Sequence, residues 1–299
     1  MCGAHGPVPL ATGGAIPGFA GRSAPVLGRA VQQQPWRHPG PDGRHSRPAI
    51  RVWDHGAMVR VPTNSQVNRA GQTIRSLLVE AEPWSDDRLR SAYEVLVLFR
   101  AAHQYPLIKA NMGLRSVLRT EGCGVEVTQR LKRIPTIVDK LRREPTMQLA
   151  KMQDIGGCRA ILRSVAEIRR VERRLCRNRP PLRVSDYIAV PRASGYRAVH
   201  VVVSYPDEDG VARAIEVQLR TRIMHEWAVS VERLGGRIEA DLKSGFGPRP
   251  VLDFLRTASA AMAIEEAGGT VARELEAEVV ALRAAAMPYL EGTSGRSQR

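Results

Sequence analysis

Cysteine is scarce in this sequence, with four residues in a chain of 299, and long apolar runs are absent. No two cysteines are spaced as Cys-x-x-Cys, which argues against a zinc site or a dithiol redox motif. A reducing, cytoplasmic location is expected from this cysteine usage. Because no run of about 18 apolar residues occurs, we expect no transmembrane helix. The first residues also lack the basic and apolar segments of a secretory signal.

Two glycine-rich phosphate-binding fingerprints are also missing. The sequence contains neither Gly-x-x-x-x-Gly-Lys-[Ser/Thr] nor Gly-x-Gly-x-x-Gly. We therefore expect neither a P-loop nor a Rossmann-type cofactor site.

Acidic residues are outnumbered by basic ones, 30 against 45, so the net charge is +15. The excess is uneven: the net charge is +4 over residues 1–57, +12 over residues 58–230 and −1 over residues 231–299. A basic surface attracts nucleotides, nucleic acids or anionic membranes. A GC-rich genome, which enriches arginine, is the alternative explanation for part of this excess.

The composition divides the chain into three segments. Residues 1–50 contain 17 glycines or prolines without a period, which predicts a disordered extension over residues 1–57. A start codon annotated too far upstream, with Met58 as the true start, is the alternative. Residues 58–235 are expected to form the main domain and residues 236–299 a helical tail.

Hydrophobic periodicity predicts helices and strands that alternate along the chain. Strands are expected at residues 159–162, 187–190, 198–205 and 212–219, with the last two joined as a hairpin by the turn residues 206–210. Helices are expected at about residues 65–82, 86–99, 111–118, 135–145, 165–176, 221–234, 251–266 and 270–286. The predicted fold class is α+β, a mixed sheet flanked by helices, with helical extensions at both ends.

Two acidic residues accompany predicted strands. Asp154 precedes the apolar run 158–162, and Glu216 stands in an alternating run that places Glu216, Gln218 and Arg220 on one face. Two carboxylates that converge can hold a divalent metal, which prefers hard oxygen ligands. The alternatives are that Asp154 caps a turn and that Glu216 belongs to a solvated row.

Basic residues surround both carboxylates in the sequence: Arg130, Lys132, Lys140, Arg142, Arg159, Arg192, Arg197 and Arg220. Arginine and lysine around a metal suit a polyphosphate, which indicates phosphoryl or nucleotidyl transfer. A solvated basic face is the alternative for residues 130–142. We interpret Tyr196, beside Gly195, as an exposed ring that stacks on a purine base. The alternative is a ring packed on its own sheet, and core packing is expected for His225 and Trp227.

The order of these motifs resembles the synthetase domain of the RelA/SpoT alarmone family over roughly residues 85–235. Arg-x-Lys and a further Lys are followed by Asp-Ile-Gly-Gly-Cys-Arg, Asp-Tyr-Ile-x-x-Pro-Arg-x-Ser-Gly-Tyr-Arg-x-x-His, Glu-Val-Gln-Leu-Arg-Thr and His-x-Trp-Ala. The resemblance implies a nucleotidyltransferase-like fold of the polymerase-β type. It also implies transfer of pyrophosphate from ATP to the ribose 3′-hydroxyl of GDP or GTP, with release of AMP.

The resemblance implies a role for each matching residue. Asp154 would hold Mg²⁺, and Glu216 would hold the same ion or take the proton from the attacking hydroxyl. The residues implied to bind ATP are Arg130, Lys132, Lys140 and Arg159, and those implied to bind the acceptor are Arg192, Tyr196, His200 and Gln218. Two positions depart from the family: Ser185 stands where Lys or Asp is usual, and Arg192 stands where Lys is common.

Three functions are compatible with these motifs. The first is a small alarmone synthetase without hydrolase or regulatory domains, which often forms oligomers through its terminal helices. The second is a toxin-type member that adds pyrophosphate to the 3′ end of tRNA, which the basic charge makes plausible. The third is a catalytically inactive module that binds a nucleotide or RNA, against which intact Asp154 and Glu216 argue.

Overall fold

The computed structural model describes residues 61–77 and 87–291, so the predicted extension over residues 1–57 lies outside the described residues. The helices are α1 (Asn64–Leu77), α2 (Asp87–Ala101), α3 (Gln104–Thr120), α4 (Ile134–Arg143), α5 (Val165–Asn178), α6 (Arg222–Arg237), α7 (Arg249–Glu266) and α8 (Arg273–Glu291). The strands are β1 (Val127–Leu131), β2 (Gly156–Leu162), β3 (Arg183–Asp186), β4 (Val199–Pro206) and β5 (Ala212–Thr221). None of these helices is long and apolar enough to cross a bilayer.

The five strands form one mixed sheet in the order β1-β2-β5-β4-β3. Strands β2 and β5 are parallel, whereas the β1–β2, β5–β4 and β4–β3 pairs are antiparallel. Helices α3 and α5 pack on the sheet. This architecture confirms the predicted α+β class.

One face of the sheet forms the largest core. The burial of β2 alternates strictly, as expected for a strand with one packed face. The inward residues of the three central strands pack against α3 and α5: Cys158, Ala160, Leu162, Val199, Val201, Val203, Ile215, Val217 and Leu219. The opposite face carries Arg159, His200, Glu216 and Gln218, so the alternation separates the apolar core from the polar residues.

A second core joins α1, α2 and α4 to the turn before β2. Ile155 in that turn is fully buried, and its carbonyl accepts a hydrogen bond of 2.7 Å from the Lys132 backbone amide. The Arg100 Nε donates to the Lys132 carbonyl at 2.8 Å. The helices before the sheet therefore fix the end of β1 and the turn that carries Asp154.

The tail packs back onto the sheet and forms a third core with α6. The Ser259 Oγ of α7 donates to the Gly195 carbonyl at 2.6 Å. Glu266, at the end of α7, accepts from Arg197 Nη2 at 2.5 Å, and both side chains are almost fully buried. Arg197 therefore anchors the tail and does not join the other basic residues.

Two strand predictions differ from the structure. Residues 187–190 form a turn, and the strand lies just before them at Arg183–Asp186. The turn forms because the Asp186 Oδ1 accepts from the backbone amides of Ile188 and Ala189, an Asx-type arrangement. Strand β1 was not predicted, since its exposed central residues give no apolar alternation.

A buried ion pair closes the β4–β5 hairpin. Arg213 Nε lies 2.9 Å from Asp207 Oδ2, and both side chains are at most 4% exposed. The other Asp207 oxygen accepts from the amides of Asp209 and Val211, at 3.1 and 2.7 Å. The predicted turn at residues 206–210 is thus confirmed.

We expect Asp207→Ala to lower the free energy of unfolding by about 3–5 kcal/mol, because Arg213 then remains buried without its partner. Urea denaturation monitored by circular dichroism measures the change. Glu208→Ala, one residue along and exposed, is the matched control and should stay within about 0.5 kcal/mol of the wild type. Equal midpoints for both variants would contradict the structural role of the pair.

Candidate active site

The parallel pairing of β2 with β5 brings the two predicted carboxylates to one place. Glu216 lies opposite Gly157 in the register, and Asp154 precedes Gly157 in the turn that leads into β2. The charge of Lys140 lowers the pKa of both carboxyl groups, so all three side chains share one electrostatic environment. A Cβ added at Gly157 would meet only the Glu216 backbone oxygen, at 3.5 Å, so the surface beside Glu216 is clear.

Asp154 is held by two lysines. Lys132 Nζ lies 2.8 Å from one carboxylate oxygen and Lys140 Nζ lies 3.1 Å from the other. Burial alone would raise the pKa of Asp154, but the two ammonium groups outweigh burial and leave the pKa lowered. The carboxylate is therefore ionised at neutral pH.

Glu216 is more deeply buried and is held by neutral donors. His200 Nδ1 lies 2.9 Å from Oε1, and Gln218 Nε2 donates to Oε2 at 2.6 Å. Burial would raise the pKa of Glu216, yet these hydrogen bonds leave it lowered. Burial lowers the pKa of His200, so the imidazole is neutral at pH 7. The hydrogen bond of His200 and the charge it gains when protonated, the hydrogen bond of Gln218 and the charge of Lys140 together outweigh burial, so Glu216 is ionised at that pH.

The network assigns the His200 tautomer. If Nδ1–H donates to Glu216, then Nε2 must accept, and the Tyr196 hydroxyl 2.6 Å away is the donor. The Tyr196 oxygen in turn accepts from Arg220 Nη2 at 2.7 Å, and the same nitrogen donates to Gln218 Oε1 at 2.9 Å. A directed chain of hydrogen bonds therefore runs from Arg220 to Glu216.

Several of the implied binding residues share one row across the sheet. Arg159 pairs with Gln218, Gln218 with His200, and His200 with Ser185 in the registers of the adjacent strands. Arg130 on β1 lies opposite Gly157 and is exposed. The structure thus brings together the residues implied for ATP and for the acceptor, with the clear surface above Gly157 between them.

Tyr196 does not have the exposed ring that we expected: it is 1% exposed. The tail covers it, because Ser194 Oγ donates to the Lys243 carbonyl at 2.8 Å and α7 contacts Gly195. Gly195 has a φ of +86°, and a Cβ there would lie 2.9 Å from the Arg256 Cα. The interpretation of an exposed stacking ring is therefore wrong for this conformation.

Cations surround the buried Tyr196 ring. The side chains of Arg220 and Lys243 lie 5.1 Å from the ring centroid and that of Arg192 lies 5.5 Å from it. Arg192 also packs on Tyr187, whose hydroxyl accepts from Arg192 Nη2 at 2.9 Å. Arg192 thus connects the predicted acceptor loop to the turn after β3.

Two candidate functional residues, Lys243 and Glu232, were not predicted from the sequence. Lys243 Nζ lies 2.6 Å from Glu232 Oε1. Burial, and next the charge of Arg220, lower the pKa of Lys243 to about 8. No local sequence signal indicates Lys243 or Glu232, because their contact depends on the fold of the tail.

Trp227 is buried as expected, whereas His225 is half-buried and lies within electrostatic range of Arg159.

The donor set fits the implied Mg²⁺. Asp154 and Glu216 supply ionised oxygen ligands, and the lysine ammonium groups already occupy cation positions on Asp154. Within residues 61–77 and 87–291, no group of three or more His, Cys, Asp or Glu side chains is arranged to hold a metal. Mg²⁺ commonly uses one or two carboxylates and completes its shell with substrate phosphates and water, so two carboxylates are sufficient.

Residues 129–233 match the region found in RelA / SpoT proteins. The GTP pyrophosphokinase YjbM of Bacillus subtilis is 31% identical over 158 residues, covering 50% of this chain and 72% of that protein. The GTP pyrophosphokinase YwaC of the same organism is 28% identical over 141 residues, covering 44% of this chain and 64% of that protein.

A solved structure extends the likeness to the fold. The crystal structure of small alarmone synthetase 1 from Bacillus subtilis, bound to its product pppGpp, superposes with a TM-score of 0.52 at 26% identity. The alignment covers 62% of this chain and 99% of that chain. The motif order, the mixed sheet and these relatives lead to one conclusion: the chain belongs to the RelA/SpoT family.

Proposed function

We propose that this protein is a small alarmone synthetase that transfers pyrophosphate from ATP to the 3′-hydroxyl of GDP or GTP. The observation that carries the proposal is the pairing of ionised Asp154 with Lys132 and Lys140 within electrostatic range of ionised Glu216. Relatives named GTP pyrophosphokinase and a family structure bound to pppGpp support the same reaction.

The reaction forms one bond and breaks another. The acceptor 3′ oxygen bonds to the β-phosphorus of ATP, the bond from that phosphorus to the oxygen bridging to the α-phosphate breaks, and AMP leaves. The proton of the acceptor hydroxyl passes to solvent water. Catalysis of such a transfer depends mainly on positioning and on neutralising the charge of the transferred group.

The basic side chains would perform that neutralisation. Lys132 and Lys140, which pair with Asp154, would turn to the phosphates of ATP, and Arg130 and Arg159 would hold the rest of the donor. Asp154 and Glu216 would hold Mg²⁺, which when bound supplies electrophilic stabilisation of the phosphate oxygens. We assign the ligand role to Glu216 because its hydrogen-bonded carboxylate is a weak base.

The acceptor side would be organised by the row on β3, β4 and β5. Gln218 and His200 would face the acceptor ribose beside Glu216, and Arg192 would lie at the edge of this surface. Tyr196, being buried, would position His200 through its hydroxyl unless the tail moves away from it. Self-association through the terminal helices remains part of the proposal, with Val280 and Tyr289 exposed on α8.

The proposed function predicts product in a direct transfer assay. The purified full chain is mixed with Mg²⁺ and ATP labelled on its terminal phosphate, and GDP, GTP and bulk tRNA are offered separately. Label in ppGpp or pppGpp is the expected result. Label only in tRNA would replace the proposal with the toxin-type activity that the +12 charge of residues 58–230 favours, and no label anywhere would favour a binding module.

Salt distinguishes the two acceptors. Binding to an RNA backbone releases counterions, so a tRNA reaction should weaken by orders of magnitude between about 50 and 200 mM salt. Transfer to a single nucleotide makes fewer phosphate contacts, and we expect its rate to fall only several-fold over the same range. A steep fall with GDP as acceptor would contradict this expectation.

Glu216→Gln should lower kcat by about a hundredfold or more, because a ligand carboxylate that helps to stabilise the transferred charge is lost. The substitution keeps the side-chain shape but turns one acceptor of the buried network into a donor that faces His200 or Gln218, so the melting temperature should fall by a few degrees at most and the variant should stay folded. Initial rates of ppGpp formation measure the effect. Glu208→Gln on the same hairpin is the matched control, and wild-type activity in Glu216→Gln would remove the proposed role.

Alanine substitutions at the two neighbouring glycines of β2 should affect different properties, stability at Gly156 and activity at Gly157. A Cβ at Gly156 would lie 2.6 Å from Ile215 Cδ1 in the core, so Gly156→Ala should cost about 1–3 kcal/mol of stability. Gly157→Ala should fold normally but place a methyl on the substrate surface, lowering kcat/KM by about tenfold or more. Urea denaturation and initial rates test both variants, and full activity in Gly157→Ala would show that substrates do not use this surface.

A further inference from the structure

Four cations from separate parts of the chain lie around Gln218 and Tyr196 or within electrostatic range of them: Arg130 of β1, Arg159 of β2, Arg220 of β5 and Lys243 of the tail. Arg159 Nε and Arg220 Nη2 both donate to Gln218 Oε1, at 3.4 and 2.9 Å. Arg220 and Lys243 both lie 5.1 Å from the centroid of the Tyr196 ring. Burial lowers the pKa of Arg159, and the charges of Arg220 and Arg130 lower it further. The pKa of Lys243 responds in the same way to burial, Arg220 and Arg159. Positive charge concentrated in a partly buried place favours the binding of an anion.

Glu232 is the carboxylate that pairs with Lys243 and faces these cations. Burial would raise its pKa, but Lys243, Arg220 and Arg130 outweigh burial and leave the pKa lowered. Its side chain is 48% exposed, so it lies at the rim and can turn into solvent. Glu216 accepts hydrogen bonds from His200 and Gln218 instead.

The tail holds the Lys243 backbone in place. Lys243 lies in a short 3-10 turn, Leu242–Ser244, in which Leu242 is buried and the Asp241 side chain accepts from the Ser244 amide at 3.3 Å. The Lys243 carbonyl accepts from the buried Ser194 hydroxyl. The Lys243 side chain is 24% exposed, and its ammonium pairs with the half-exposed Glu232.

We propose that Lys243 binds a phosphate group of a substrate nucleotide, and that Glu232 holds the ammonium in position until the nucleotide displaces it. Arg159 and Arg220 strengthen the site through their charge. The proposal rests on the proposed function for the kind of ligand, and ATP and the acceptor nucleotide are the two sources of such a phosphate. Lys243 lies outside residues 129–233, so the tail adds this contact to the family domain.

The test compares four variants of the full chain: Lys243→Met, Lys243→Arg, Glu232→Gln and Glu226→Gln. KM and kcat are measured with ATP varied at saturating GDP and with GDP varied at saturating ATP. Lys243→Met should raise the KM of one nucleotide by about tenfold or more, since a charge-assisted contact is lost. Its kcat should change by less than about threefold, because the contact is made in both ground and transition states.

The partner variant should act in the opposite direction. Glu232→Gln removes the carboxylate that competes for Lys243, so the same KM should fall by about twofold to threefold. Lys243→Arg keeps the charge and should retain most of the affinity. Glu226→Gln, exposed on the same helix and paired with Arg222, is the matched control and should leave both KM values unchanged.

Two results would overturn the proposal: unchanged KM values in Lys243→Met, or KM shifts in the same direction for Lys243→Met and Glu232→Gln. The nucleotide whose KM changes identifies the source of the phosphate. Melting temperatures verify folding. If the wild type forms no product, calorimetric titration with ATP and with GDP still tests the contact, and equal affinities in wild type and Lys243→Met reject it.

Discussion

The parallel pairing of β2 with β5 is the constraint on which the rest of the site depends. It aligns Gly157 with Glu216 and places Asp154 within electrostatic range of Glu216. A slip of one residue would turn every side chain of one strand to the other face, and Glu216 would then enter the apolar core beneath α3 and α5. The core residues of both strands, such as Cys158 and Val217, therefore fix the position of the carboxylates as strongly as any polar contact does.

The burial of Glu216 explains the network around it. An ionised carboxylate taken out of water is costly unless donors replace the lost hydration, and His200 and Gln218 supply those donors. Each of these residues is oriented in turn by a neighbour, His200 by Tyr196 and Gln218 by Arg220. Such a chain restricts the carboxylate to one orientation, which is what a metal ligand or a positioned charge requires.

The polar face of β5 could be predicted because it follows from the period of a strand. Glu216, Gln218 and Arg220 alternate with apolar residues, and the structure places them in hydrogen-bonded contact. The closeness of Asp154 to Glu216 needed the motif order as well, since 61 intervening residues separate them in the sequence. Periodicity alone does not indicate which strands are neighbours in a sheet.

Other features could not be predicted because they depend on distant contacts or weak local signals. The exposed middle of β1 carries no alternation, and Asp186 converts an apparent strand at residues 187–190 into a turn. The burial of Tyr196 depends on α7, more than 50 residues later in the chain. The local sequence shows only that Tyr196 follows a glycine, which does not predict that α7 buries its ring.

The tail is hydrogen-bonded to the segment that carries Tyr196. Ser259, Lys243 and Glu266 each bind the segment 194–197, which contains Tyr196. A change in the packing of α7 would therefore reach Glu216 through Tyr196 and His200. Helix α8 packs on α7 and exposes Val280 and Tyr289. Because the two helices pack together, self-association through α8 would stabilise the position of α7, and through it the hydrogen-bond chain that orients Glu216.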